Sequence, residues 1–170
     1  MVILAGSALG VAQLFTLAAA STRDARSQTW AETLAADKIE QLRALSWAYD
    51  ASGQSLSDTT SDVSTEPATS AGHGLAASPV DSLERATDGY VDYLDASGQW
   101  VGTGGVPPAK ATYVRRWSIQ PLSGNPANTL VLQVLVTTMA RGGVLTPSGS
   151  HPARRPGDAL IVNLRTRKAR

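Results

Sequence analysis

The sequence predicts an α+β fold, in which the C-terminal half of a long N-terminal α-helix packs on an antiparallel sheet of about four strands. Three observations lead there. Residues 2–20 carry no charge, and residues 21–49 continue with apolar side chains spaced mostly by three and four. From residue 90 onward, short aliphatic, aromatic and β-branched runs alternate with Gly-, Pro- and Asn-containing turns.

As a helix, the uncharged opening is roughly 28 Å long, close to the hydrocarbon thickness of a bilayer. Val2, Ile3, Leu4, Leu9, Val11, Leu14, Phe15 and Leu17 supply its apolar surface, diluted by Ala, Ser7, Gln13 and Thr16. Gly6, Ser7 and Gly10 let a second helix approach closely, so helix-on-helix packing suits the segment at least as well as lipid. Three other readings compete: a buried core helix, a plain single-pass anchor, and a signal peptide cleaved after Ala20. Ala18, Ala19 and Ala20 satisfy the cleavage rule, but no basic stretch precedes the apolar run.

In residues 21–49, Trp30, Leu34, Ala35, Ile39, Leu42 and Leu45 form one stripe, expected to be the helix–sheet core. Arg26, Glu32, Asp37, Lys38, Glu40 and Arg43 fall mostly elsewhere. No Pro or Gly interrupts residues 11–49, which predicts one helix of roughly 45 residues ending near Asp50. Residues 50–79 are rich in Ser, Thr, Gly, Ala and Asp, and read as a long mobile surface loop with almost nothing large to bury.

Residues 80–170 read as the sheet-bearing head. Strands are expected over 90–94 and 100–101, flanking the Asp95-Ala96-Ser97-Gly98 turn. In the run 111–122, Tyr113, Arg115, Trp117 and Ile119 point one way, and Val114, Arg116, Ser118 and Gln120 the other. After the turn at 123–126 comes the most apolar strand, 129–138; a second loop, 142–157, leads to the last, 159–164. One apolar face of such a sheet must be covered, and the amphipathic half of the helix is the only large cover in sight.

Charge is unevenly distributed behind a net +1. Residues 1–49 balance four acids with four bases, residues 50–95 carry nine acids and only Arg85, and residues 96–170 set ten bases against Asp158. The acidic middle and basic end can attract within a subunit or between neighbours. The basic residues Arg154, Arg155, Arg165, Arg167, Lys168 and Arg170 are the candidates for phosphate contact, with nucleic acid or lipid headgroups. No aromatic is interleaved with them to stack on bases. Without Cys, disulfides and thiolate metal sites are excluded. His73 and His151 sit in Gly/Ser/Pro-rich loops without metal-ligand spacing, and Gly102–Gly105 lacks the strand–turn–helix setting of a phosphate loop. No catalytic, metal or cofactor constellation is expected.

The layout resembles the type IV pilins, most closely minor pilins and the minor pseudopilins of type II secretion. The resemblance rests on the 2–20 segment, the helix Leu34-Ala35-Ala36-Asp37-Lys38-Ile39-Glu40-Gln41-Leu42-Arg43-Ala44-Leu45, and the strands Tyr113-Val114-Arg115-Arg116-Trp117 and Asn128-Thr129-Leu130-Val131-Leu132. It implies a non-enzymatic subunit held in the inner membrane by its helix, then extracted by an assembly machine and packed against other subunits. The head then lies in a periplasmic or extracellular filament. The family's basic leader and the Glu at the fifth mature position are missing, the first acid being Asp24. The resemblance therefore implies that Met1 corresponds to a position inside the helix.

Overall fold

The computed structural model describes residues 2–139 and 157–167, with side chains in the helix from Gln13 onward. Helix α1 spans Val2–Ala44. Among the described residues nine strands follow: β1 (Trp47–Tyr49), β2 (Ser55–Ser57), β3 (Ser61–Asp62), β4 (Thr69–Ser70), β5 (Val91–Leu94), β6 (Trp100–Thr103), β7 (Tyr113–Pro121), β8 (Thr129–Thr138) and β9 (Ala159–Thr166). The broad class is α+β, with one N-terminal helix packed on an antiparallel sheet. That sheet has five strands in the order β6-β5-β7-β8-β9, one more than expected, because 100–103 and 159–166 each form a full edge. The face pattern of β7 follows the alternation: Trp117 and Ile119 enter the main core with α1, while Val114 points into a second cluster.

Four expectations are corrected. The helix stops at Ala44, short of Tyr49, because Trp47 and Tyr49 enter the β1–β2 hairpin and Trp47 is buried there. The polar segment 50–79 is ordered into short hairpins and carries buried Val63, Ser64, Leu75 and Ser78. Small side chains suffice because hydrogen bonds rather than apolar area hold it: Asp58, for example, accepts from Thr60 N, Ser61 N and Ser61 Oγ at 3.0, 3.0 and 2.6 Å.

Third, α1 is not the only cover. Residues 76–88 cross the other face of β5 and β7, where Ser78 Oγ lies 3.1 Å from Ser118 Oγ and Ile119 N donates to Ser78 Oγ at 3.0 Å. Arg116 Nη1 donates to Leu83 O at 3.3 Å, and Ala86 packs on the cluster of Val91, Tyr93 and Val114. Finally, Trp30 sits at the rim, 38 % exposed, under the β5–β6 turn. The fully buried Ala31 takes the stripe position beside it.

The pentapeptide Asp-Ala-Ser-Gly-Gln occurs twice, at 50–54 and 95–99, and forms the same hairpin turn both times. Asp50 Oδ1 accepts from Ser52 N, Ser52 Oγ and Gln54 N at 2.9, 2.7 and 2.8 Å. Asp95 Oδ1 accepts from Ser97 N, Ser97 Oγ and Gln99 N at 2.8, 2.6 and 3.0 Å. Gly53 and Gly98 close the turns at φ 84° and 82°, a region open to glycine at little steric cost.

The hydroxyl of Ser52 or Ser97, and then the N–H of Gln54 or Gln99, holds each of these aspartates below the usual carboxylate range. A carboxylate depressed on folding contributes stability that is present above its unfolded value of 3.8 and is lost as pH falls through the folded value. Thermal unfolding followed from about pH 5 down to about pH 2 is therefore expected to show a falling Tm, and the double variant Asp50→Asn/Asp95→Asn a shallower fall. Equal slopes would contradict this account of the turns.

A protruding helix and its buried clasp

Helix α1 has two halves with opposite environments. From Gln13 to Trp30 no side chain is buried; from Ala31 to Leu42 the pattern alternates, with Ala31, Leu34, Ala35, Lys38, Ile39 and Leu42 inside. The part from Gln13 to Arg26 runs roughly 21 Å at 1.5 Å per residue before α1 meets the head, at Ser27 beside Gly157 and at Trp30 beneath Gly98. Along it, Leu14, Phe15 and Leu17 are 67, 72 and 67 % exposed. The other residues expected on this surface, Val2, Ile3, Leu4, Gly6, Leu9, Gly10 and Val11, have side chains outside the described set. Of the expected helix–sheet core, Leu34, Ile39 and Leu42 are buried and Leu45 packs partly buried against them.

Lys38 is the unexpected member of the stripe. Its ammonium lies 2.8 Å from Asp92 Oδ2, donates to Val63 O at 2.7 Å, and sits 4.6 Å from the centroid of Trp117. Arg115, the cross-strand neighbour of Asp92, grips the same carboxylate through Nε at 2.8 Å and Nη2 at 2.7 Å, and reaches Leu34 O on α1 at 3.3 Å. The side chains of Lys38, Asp92 and Arg115 are 1, 0 and 3 % exposed. One carboxylate thus joins helix, two strands and the 58–75 segment. Two cations share it, so the buried set carries an excess positive charge, and burial pushes Lys38 down to about 8 against the pull of Asp92. Lys38 lies four residues from both Leu34 and Leu42, a spacing that puts it on the buried face.

The expected phosphate contacts take another form. Arg165 Nη1 donates to Leu42 O at 2.9 Å and its Nη2 to Leu45 O, which caps free carbonyls at the helix C-terminus, where positive charge is favourable. Arg167 donates to Ala127 O through Nε and Nη2 at 2.9 and 2.6 Å, with its guanidinium 4.9 Å from the Trp47 ring and 4.8 Å from that of Tyr49. Their guanidinium groups are therefore turned to the protein's own backbone and rings. Lys168 and Arg170 lie outside the described residues. His73 stacks on Tyr90, with centroids 5.2 Å apart; His151 is also outside the described residues. Among the described residues no group of His, Asp and Glu is placed to hold a metal ion, and no helix is long and apolar enough to cross a membrane.

Removing the shared carboxylate leaves two buried cations facing each other, so Asp92→Asn is expected to lower stability by about 3–5 kcal/mol in denaturant titration. Lys38→Met keeps the Asp92–Arg115 pair balanced and is expected to be neutral or stabilising at pH 7. The pH sign follows from the same burial. With Lys38 at about 8 folded and 10.5 unfolded, the unfolded chain binds more protons between those values, so wild-type stability rises with pH there. Relative to Lys38→Met, the gain from about pH 8 to about pH 10 is expected to be on the order of 2 kcal/mol. A flat difference would remove Lys38 from the clasp as described.

Comparison with protein-family models, with curated proteins and with solved structures finds no match to this chain.

Proposed function

We propose that the protein is a non-enzymatic structural subunit of a type IV pilus or type II secretion pseudopilus, assembled through the N-terminal part of α1. The observation that carries this reading is the unburied stretch from Gln13 to Trp30, which displays Leu14, Phe15 and Leu17 beyond the head. An isolated helix of this length is marginal in water, and its apolar side chains gain by meeting lipid or other helices. On this reading the helix rests in the inner membrane before assembly, with packing by the assembly machinery exchanging lipid for neighbouring helices at little hydrophobic cost. The head, clasped to the helix through Asp92, then faces the periplasm or the outside.

The competing outcome is a secreted binding domain released by cleavage after Ala20. Against it, α1 runs unbroken from Val2 to Ala44, so the cut would fall within a regular helix.

Two measurements test the proposal. Leu14→Asp/Phe15→Asp is expected to remove the protein from the sheared filament fraction of its host, while the head keeps its near-ultraviolet circular dichroism. Intact-mass analysis of the exported protein is expected to show residues before Ser21 retained. A mature N-terminus at Ser21, or undiminished filament incorporation of the double variant, would sink the filament reading. Deleting residues 1–20 should leave a folded head, because the buried stripe begins only at Ala31.

A further inference from the structure

A polar side chain within an apolar run is costly in hydrocarbon unless it finds a hydrogen-bond partner. Between Gln13 and Ala20, α1 carries two such side chains, Gln13 and Thr16. Thr16 is satisfied within the helix, its Oγ1 donating to Gln13 O at 2.8 Å, as Thr22 Oγ1 donates to Ala18 O at 2.9 Å. The carboxamide of Gln13 is exposed and has no hydrogen-bond partner among the described residues.

Arg23 is the first charged residue of the sequence and lies ten residues after Gln13, roughly 15 Å along the helix. On the reading that α1 rests in lipid, on which this inference depends, Arg23 stands at the headgroups. Gln13 then lies near the middle of a hydrocarbon layer roughly 30 Å thick. A Gln side chain is too short to snorkel from there to the surface. Acyl chains offer it neither a donor nor an acceptor.

We infer that Gln13 pairs with Gln13 of a second copy, the two α1 helices lying parallel in the membrane with their carboxamides hydrogen-bonded across a twofold axis along the bilayer normal. A carboxamide carries both donors and an acceptor, so the same group on a second copy returns what each lacks. Heads on one side of the membrane make the helices parallel, which brings like residues to equal depth. Gly10 lies three residues before Gln13, and Leu17 and Ala20 lie four and seven after it, all on one helix face. Gly10 and Ala20 leave room for the backbones to approach until the carboxamides meet. Phe15 lies about 200° round the helix from Gln13, away from the junction.

The chain has no cysteine, so Ala109→Cys on an exposed loop takes a single donor or acceptor dye. The full-length labelled protein is reconstituted into phosphatidylcholine vesicles, and its flotation with the vesicles is measured before energy transfer between copies. Energy transfer that falls on dilution with lipid is expected when Gln13 is present. Gln13→Leu, which is more apolar and so keeps the helix in lipid, is expected to weaken pairing at least about threefold, as for other polar bonds between helices in membranes. Gln13→Asn, which keeps the carboxamide, and Phe15→Leu on the opposite face are expected to pair close to the unsubstituted level. Protein that does not float with the vesicles would overturn the membrane reading and the pairing together. Protein that floats without energy transfer, that pairs undiminished as Gln13→Leu, or that loses as much pairing as Phe15→Leu would overturn the pairing alone.

Discussion

The fold depends on one buried carboxylate. Asp92 is fully enclosed and accepts from Lys38 on α1 and from Arg115 on β7, while Lys38 also holds the carbonyl of Val63. Apolar contact would let the helix slide or rotate over the sheet with small penalties, since burial is non-directional. A charge taken out of water is less forgiving: unless Lys38 stays within reach of Asp92, an uncompensated ion remains in the interior. The clasp therefore fixes the rotation and register of α1 on the sheet. Through the helix's rigidity it also fixes where the exposed half emerges.

The rest of the head is arranged around that attachment. Arg165 caps the helix at Leu42 and Leu45, Arg167 stacks on the Trp47–Tyr49 hairpin, and residues 76–88 close the opposite face of β5 and β7. The acidic middle of the chain is largely self-satisfied: Asp50, Asp58, Asp62 and Asp95 accept from nearby N–H and hydroxyl groups. Asp92 is the exception, pairing across the charge asymmetry with Arg115 from the basic end. Among the described residues, the stretch of α1 before Ala31 is the part of the helix that the head leaves unburied.

Much of this was legible in order and kind. The three-and-four spacing marked Leu34, Ile39 and Leu42, which lie in the core, and period-two alternation separated Trp117 and Ile119 from Val114 and Ser118. The helix was expected to reach Tyr49 because no Pro or Gly interrupts residues 11–49; the duplicated Asp-Ala-Ser-Gly-Gln was the available signal that a hairpin like the one at 95–99 turns there. Lys38 was assigned by its charge when its position between Leu34 and Leu42 placed it inside. Arg165 and Arg167 read as a solvent-facing basic end because their partners are backbone carbonyls, and a carbonyl has no signature in sequence.

The sequence by itself determined the helix-then-sheet order, the apolar stripe and the turn positions, because periodicity and turn chemistry are local properties of the chain. Only the tertiary structure decided which charges are buried together, that residues 50–79 are stitched into hairpins, and that the sheet has a second cover. Those outcomes depend on pairing across many residues, such as Lys38 with Asp92 and Leu42 with Arg165. The desolvation and hydrogen-bond energies that select them exist only once distant segments have met.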